Sequence, residues 1–128
     1  MGLLQKKVML INNDDILKIV YLENNVPAGY VAVYNKDDFC KLEDFPDKID
    51  RNGNVSYIWE IVTDKKYKGR GIASKLMQYV LEKFKEYKIY SCIAKDNIPS
   101  LKLHEKYGFK EAYRFTDCKE QIMLVKNN

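Results

Sequence analysis

Two glycines that flank an arginine stand directly before a segment with helical periodicity. The stretch YKGRGIASKLM (residues 67–77) places Gly69, Arg70 and Gly71 ahead of that segment, without an ordinary capping side chain. The first N–H groups of a helix have no intrahelical partners and carry partial positive charge. Glycines let ligand oxygens approach the backbone closely, and nearby cations attract negative charge. The spacing therefore predicts an anion site of the kind that binds a diphosphate.

Two common phosphate-binding loops do not fit this stretch. A Walker loop needs Gly-Lys-Ser/Thr after four spacer residues, and GRGIASK lacks that pattern. A dinucleotide turn needs a third glycine at position 74, where Ser74 stands, and an acidic residue about 20 residues further on. The glycines alone also fit a tight turn that only joins a strand to a helix, so both interpretations stay open.

The elements around the turn are predicted from apolar periodicity. Strands are expected at KKVMLIN (6–12), ILKIVYLENN (16–25), AGYVAVY (28–34), VSYIWEIVTD (55–64), KIYSCIA (88–94), FKEAYRFTD (109–117) and EQIMLVK (120–126). Apolar residues from Ile72 to Tyr87 recur at helical spacing over about four turns. A second, short helix is expected within residues 97–109, with Asn97 and Pro99 at its start and Gly108 at its end.

The order of these elements predicts an α/β fold with a mixed sheet in a single domain spanning residues 1–128. The strand–helix–strand unit at 55–94 is expected to form a parallel crossover. Residues 16–34 are expected to form an antiparallel hairpin around NNVPAG. The polar residues 35–54 are expected to form a long loop, with at most one helical turn.

Composition excludes several functional classes. The net charge of +4 is too small to indicate a nucleic-acid partner, and no apolar run is long enough for a membrane helix. One histidine and three scattered cysteines do not provide the ligand set of a structural zinc site, and no metal is expected. The odd cysteine count and the absence of a signal-peptide pattern favour a cytoplasmic location.

Charge is unevenly distributed along the chain. A basic cluster surrounds the glycine turn: Lys65, Lys66, Lys68, Arg70 and Lys75. An acidic cluster precedes it: Asp37, Asp38, Glu43, Asp44, Asp47 and Asp50. The two clusters predict two ligands of opposite charge, although two solvated surfaces would give the same pattern.

The segment DKKYKGRGIASKLM (64–77) resembles the acyl-coenzyme-A-binding motif of the GNAT N-acetyltransferase superfamily, Q/R-x-x-G-x-G/A. The match falls on the six residues Lys68-Gly69-Arg70-Gly71-Ile72-Ala73. The segment DNIPSLKLHEKYGF (96–109) resembles the second signature of that superfamily, an asparagine, a short helix and a terminal Gly-Phe. The resemblance covers about residues 16–125 and implies a mixed sheet flanked by helices.

The resemblance also implies where acetyl-coenzyme A, the expected co-substrate, binds. Backbone groups of Ile61, Val62 and Thr63 are expected to pair with the pantetheine arm as an extra strand, with one N–H polarising the acetyl carbonyl. Amides from Gly69 to Ser74 are expected to hold the diphosphate, and Asn97 to contact the pantetheine. The full set of expected cofactor-binding residues is Ile61, Val62, Thr63, Lys68, Gly69, Arg70, Gly71, Ile72, Ala73, Ser74 and Asn97.

Lys68 and the first two strands depart from the superfamily pattern. Lys68 replaces Gln or Arg, which keeps a charge but loses a planar fork. The superfamily usually inserts two helices between its first two strands, whereas only NDD separates VMLIN from ILKIV here. The N-terminal helical region is therefore shortened, and either the acceptor site is open or a second subunit of a homodimer completes it.

Two residues are catalytic candidates. Glu60 is the carboxylate within the central strand, where an apolar setting would suit a base; a solvent-facing or lysine-paired glutamate is the alternative. His104 stands where many superfamily members have a tyrosine acid, and a packed structural histidine is the alternative. Tyr107 is a weaker substitute acid. Tyr57 and Trp59 are expected on the strand face opposite Glu60, provided that no bulge intervenes.

The sequence thus predicts an acetyl-coenzyme-A-dependent N-acetyltransferase. The acceptor is expected to be a primary amine, either a small cationic molecule or a lysine of a peptide or protein, that attacks the thioester directly. A non-catalytic acyl-coenzyme-A-binding regulatory or partner protein on the same fold is the alternative. No nucleic acid and no membrane is expected as a partner.

Overall fold

The computed structural model describes residues 8–13, 16–34 and 53–128, and within them the chain forms one seven-stranded sheet. The strands are β1 Val8–Asn13, β2 Ile16–Glu23, β3 Val26–Tyr34, β4 Val55–Thr63, β5 Lys88–Ala94, β6 Lys110–Asp117 and β7 Lys119–Asn127. They lie in the spatial order β1-β2-β3-β4-β5-β7-β6. Neighbouring strands are antiparallel except β4 and β5, which are parallel. The predicted mixed sheet, its hairpin and its parallel crossover are confirmed.

The hairpin between β2 and β3 is tighter than predicted. Its turn consists of Asn24 and Asn25, both in the left-handed region with φ of 51° and 64°. Two such residues form the two-residue turn whose twist suits antiparallel strands, and asparagine tolerates this conformation well. Residues 26 and 27, expected between the two strands, belong to β3 instead.

Two α-helices accompany the sheet in the described residues: α1 spans Ile72–Lys83 and α2 spans Ile98–Lys106. A short 3-10 turn, Lys65–Tyr67, precedes α1. The helix α1 ends before its apolar periodicity does, because the backbone turns into the left-handed region at Glu86. Tyr87 still packs edge-on against Phe84 at 5.2 Å between ring centroids, although it lies beyond the helix.

Both helices pack against the same side of the sheet, which is called here the helical face. The main core lies there and is built from alternate residues of the strands, from the apolar stripe of α1 and from the apolar residues of α2. The other side, called the aromatic face, carries a smaller cluster around Tyr34, Val55, Tyr90 and Met123. Both helices therefore lie on the side of the sheet that carries the main core.

Only residues 14 and 15 lie between β1 and β2, which pair directly from Asn13 and Ile16 outward. The predicted lack of a two-helix insertion at this position is therefore confirmed. The predicted loop at 35–54 lies outside the described residues except for positions 53 and 54. The acidic cluster at 37–50 lies entirely outside them. Within the described ranges, no helix has the length and apolar character needed to cross a membrane.

Candidate active site

The parallel ladder between β4 and β5 is short, and this opens a cleft in the middle of the sheet. Residues 55–58 pair with residues 88–91, and the described strands separate beyond Ile58. A cavity of about 170 Å³ lies where they separate. Its walls come from β4, β5 and α2: Ile58, Trp59, Glu60, Ile61, Ser91, Cys92, Ile93, Ala94, Asn97, Ser100 and His104. An extended ligand can enter such a gap as an added strand.

A β-bulge at Trp59 changes which way the second half of β4 faces. The register between β3 and β4 shifts by one residue here, and Trp59 is the extra residue. Trp59 and Tyr57 both contact the ring of Tyr34, at 5.4 and 6.1 Å between centroids. Glu60 bonds to Tyr30, which lies on the same face of β3 as Tyr34. The expectation that Tyr57 and Trp59 lie opposite Glu60 applies only to a strand without a bulge; with the bulge, all three share the aromatic face.

Beyond the bulge, the backbone N–H and C=O groups of β4 point alternately toward β3 and away from it. Asp64 donates its N–H to Ala28 O at 2.9 Å, next to the β3–β4 ladder. Because bonded and non-bonded pairs alternate between antiparallel strands, Val62 also directs its N–H and C=O toward β3. Ile61 and Thr63 direct theirs to the other side, where β5 has moved away. Of the three predicted residues, Ile61 and Thr63 thus have the backbone direction that pairing with an extended ligand needs.

The glycine turn leads into the start of α1 with open space on its outer side. Gly71 is the N-cap residue at φ 73°, and no side chain caps the helix. A Cβ added to Gly71, or to Gly69 at φ 83°, would meet nothing within 4 Å. The first helical bond runs from Lys75 N to Gly71 O at 3.1 Å, so the N–H groups of residues 72–74 precede the helical bonding pattern. The turn therefore presents several aligned donors.

Cations surround these donors. Lys68 is exposed, and the Arg70 guanidinium lies 5.3 Å above the ring of Tyr67. Lys75 donates to the hydroxyl of Tyr21 at 3.3 Å, one turn into the helix. The first turn of α1 contains no acidic residue. The dipole of the helix and the side chains therefore favour the same charge, that of an anion.

His104 is completely buried and both of its ring nitrogens have partners. Nδ1 lies 2.7 Å from Ser100 O, and Nε2 lies 2.8 Å from Ser91 Oγ. The ring also packs edge-on against Phe109 at 4.9 Å. Burial lowers the pKa of His104 below its ordinary value, and the bond to Ser100 opposes this only in part. The imidazole is therefore neutral at pH 7.

Of the two environments considered for Glu60, an apolar one and a solvent-facing one, the structure has the solvent-facing one. Its side chain is exposed, and Oε1 accepts a hydrogen bond from the Tyr30 hydroxyl at 2.7 Å. That bond raises the pKa of Tyr30, because it stabilises the protonated phenol next to the carboxylate. Glu60 thus stands in contact with solvent at the edge of the cleft.

The cleft brings together Glu60, Ile61, Asn97 and His104 from three elements. Asn97 is the N-cap of α2, where its side chain accepts from Ser100 N at 3.4 Å. The glycine turn does not line the cavity itself. It begins six residues after Thr63 at the end of β4, beyond the 3-10 turn.

Comparison with known proteins identifies the family. Residues 4–109 match the sequence profile of the acetyltransferase (GNAT) family. That match covers most of the chain, including the glycine turn, the cleft strands and α2. The chain belongs to the GNAT acetyltransferase family.

Individual relatives share about a third or less of their residues with this GNAT chain. It is 31% identical over 89 residues to a spermine/spermidine N(1)-acetyltransferase of Bacillus subtilis (strain 168), covering 62% of this chain. The match spans 58% of the length of that relative. An N-acetyltransferase from Staphylococcus aureus Mu50 superposes with a TM-score of 0.70 and 28% identity, covering 88% of this chain and 69% of the other. A GNAT family acetyltransferase from Elizabethkingia anophelis with acetyl-CoA bound shares the fold, with a TM-score of 0.66, 19% identity and coverage of 90% and 78%.

Sequence reasoning missed two polar residues of this GNAT site. From the sequence alone, Ser91 falls within a predicted strand and Tyr30 within a predicted hairpin. Ser91 reaches the cleft because it pairs with Ile58, the last residue of the parallel ladder. Tyr30 reaches Glu60 through the β3–β4 register. No local pattern reveals either contact, because both depend on strand register.

Proposed function

We propose that this chain transfers the acetyl group of acetyl-coenzyme A to a primary amine. The observation that carries the proposal is the continuity between the open edge of β4 and the glycine turn. Ile61 and Thr63 direct backbone groups into the β4–β5 gap. The chain then passes through the 3-10 turn to the aligned donors at the start of α1. A long ligand with an amide-bearing arm and a diphosphate matches both parts.

The residues present fit acetyl-coenzyme A. Amides from Gly69 to Ser74 supply the donors that a diphosphate needs, and the absence of a Cβ at Gly71 leaves space for its oxygens. Lys68, Arg70 and Lys75 add positive charge around the turn. Asn97 lines the cleft, which supports its proposed contact with the arm. When bound, acetyl-coenzyme A supplies a reactive thioester.

The aromatic face supports a cationic acceptor. Trp59 is 51% exposed, and Glu60 lies next to it in β4 on the same side of the sheet. An indole face and a carboxylate together attract an alkylammonium group by cation–π and charge-assisted contacts. The Bacillus relative is described as acting on spermine and spermidine. We therefore propose an aliphatic di- or polyamine as the acceptor class, with a peptide amine as the competing class.

Binding geometry is expected to dominate the rate. Positioning two reactants contributes about 7–11 kcal/mol. Presenting an alkylammonium as a free amine at pH 7 costs about 4–5 kcal/mol, and protonating the departing thiolate needs only about 2 kcal/mol of help. Base assistance thus ranks second. Glu60, alone or through water, is the proposed base for the entering ammonium because it is exposed at the cleft edge.

An assay of thiol release from acetyl-coenzyme A tests the proposal. Purified protein is incubated with putrescine, spermidine, a lysine-containing peptide and a peptide with a free N-terminus. We expect amine-dependent thiol release, fastest with the polyamines, and much slower release by the Gly71→Glu variant. Tight acetyl-coenzyme A binding without thiol release for any amine would favour the non-catalytic alternative. That alternative is supported by the two-residue connection between β1 and β2, which leaves out the usual helices on the acceptor side.

A further inference from the structure

A short chain of buried polar groups leads from the cleft into the core. Ser91 on β5 is 1% exposed and His104 on α2 is fully buried. Their side chains are joined by the 2.8 Å contact between Oγ and Nε2, and the ring continues to Ser100 O at 2.7 Å. Burying the Ser91 hydroxyl and the two ring nitrogens of His104 next to a cavity is unfavourable unless each is hydrogen-bonded, and here each is.

The hydrogen bonds fix the direction in which the protons point. Ser100 O is a carbonyl oxygen and can only accept, so Nδ1 of His104 carries the proton. In the neutral ring Nε2 then holds a lone pair, and the hydroxyl of Ser91 donates to it. In this state His104 cannot donate a proton toward the cleft. The acid role expected from its place in the sequence therefore requires that the ring first accept a proton.

Ser91 is the group through which the ring reaches the cleft. It pairs with Ile58 at the last rung of the β4–β5 ladder, where the strands begin to separate. Ser91 and His104 both line the cavity, together with the β4 residues of the proposed thioester site. With the donor hydrogen of Ser91 directed to Nε2, the lone pairs of its oxygen remain to accept a proton from the cleft side.

We propose that Ser91 and His104 form a proton relay for acetyl transfer, which rests on the proposed function. The C–S bond of the thioester breaks and a C–N bond to the amine forms. The proton lost by the nitrogen passes to Ser91 Oγ while the hydroxyl proton of Ser91 passes to His104 Nε2. The reverse movement delivers one proton to the departing sulfur. One proton has moved from nitrogen to sulfur, and both side chains return to their starting states.

The surroundings of His104 suit this cycle. Burial lowers the pKa of His104, so the ring is neutral at pH 7 and Nε2 can accept a proton. The same lowered pKa favours release of that proton from the charged ring. A thiol, with an ordinary pKa of about 8.5, holds a proton more firmly than that ring does. Transfer of the proton from the charged ring to the departing sulfur, the second step of the relay, is therefore favourable in free energy.

The test compares two buried serines. Ser91→Ala removes the proposed relay hydroxyl, and Ser56→Ala removes a hydroxyl that is equally buried but donates to Tyr34 O at 2.8 Å. We expect Ser91→Ala to lower kcat for an alkylamine about a hundredfold or more, with KM for acetyl-coenzyme A unchanged. Ser56→Ala should keep a kcat close to wild type. The Ser91→Ala defect should shrink for 2,2,2-trifluoroethylamine, which releases its proton far more easily.

The outcomes separate the relay from the proposed function. Equal kcat for Ser91→Ala and Ser56→Ala in an active enzyme would overturn the relay alone. A Ser91→Ala defect of the same size for both amines would do so too. Failure of the wild type to acetylate any amine would overturn the proposed function and the relay with it.

A measurement on the wild type stands independently of activity and of variant folding. The chain has a single histidine, so the ring nitrogen resonances of His104 are unambiguous in an ¹⁵N NMR spectrum. We expect a protonated Nδ1 and an unprotonated Nε2 at pH 7. A protonated Nε2, or a charged ring, would contradict the relay.

Discussion

Introducing a carboxylate at the glycine turn tests whether that turn binds the diphosphate. In Gly71→Glu the new side chain extends into open space, because a Cβ at this position meets nothing within 4 Å. The carboxylate then competes for the amides at the start of α1 and repels a diphosphate. A hydrogen bond to a charged group contributes about 1.5–3 kcal/mol, so losing two of them removes about 3–6 kcal/mol of binding. We expect acetyl-coenzyme A affinity to fall about a hundredfold or more.

The control for this variant is Gly53→Glu. Gly53 has a similar φ of 78° and equally open surroundings, but it lies before β4, at the other end of that strand from the turn. Each variant places a non-glycine residue in the left-handed region, which costs about 1–2 kcal/mol of stability. Thermal unfolding should therefore show similar losses for the two.

Isothermal titration calorimetry with acetyl-coenzyme A separates charge from backbone strain when Gly71→Gln is included. We expect Gly53→Glu to bind like the wild type, Gly71→Gln to bind more weakly, and Gly71→Glu to bind weakest. Equal affinity for wild type and a folded Gly71→Glu would refute the diphosphate assignment. Equal losses for Gly71→Gln and Gly71→Glu would show that charge at the helix start has no part in binding.

Three further predictions follow from the described contacts. Because folding lowers the pKa of His104 below the ordinary 6.5, the unfolded state binds the extra proton first on acidification. The unfolding free energy should fall as the pH drops below 6.5 by up to about 1.4 kcal/mol per pH unit, and chemical denaturation should show a weaker dependence in His104→Gln. Trp59, the single tryptophan, lines the cleft, so its fluorescence should change on acetyl-coenzyme A titration in the wild type; no change at saturation would contradict placement of the ligand there. In Gly29→Ala the new Cβ would lie 2.7 Å from Val62 O, so β4 must shift; we expect lower thermal stability and weaker acetyl-coenzyme A binding, and wild-type values of both would show that β4 tolerates the shift.

The fold was predictable where local chemistry and long-range packing agree. The apolar spacing that begins at Ile72 predicts a helix, and that helix buries its apolar face as expected. Asn97 caps α2, as its residue type predicts. Element ends were less predictable. The end of α1 depends on the left-handed turn at Glu86, a residue type with no marked preference for that conformation.

The candidate site was predictable in its backbone part only. Gly69 and Gly71 predict a turn with positive φ, and both residues have positive φ in the structure. The side-chain part depends on strand register. One inserted residue, Trp59, changes the face of the sheet on which the β4 residues after it lie. The pairing of Ile58 with Ser91 determines which hydroxyl contacts His104. Neither event has a signature in the local sequence.

The central claim is that the amides at the start of α1 hold the diphosphate of coenzyme A. A crystal structure of the wild type with acetyl-coenzyme A tests it most directly. We expect diphosphate oxygens within about 2.7–3.2 Å of backbone nitrogens in residues 69–74, and the thioester between β4 and β5. A bound nucleotide whose diphosphate lies elsewhere, with no oxygen near that turn, would contradict the claim.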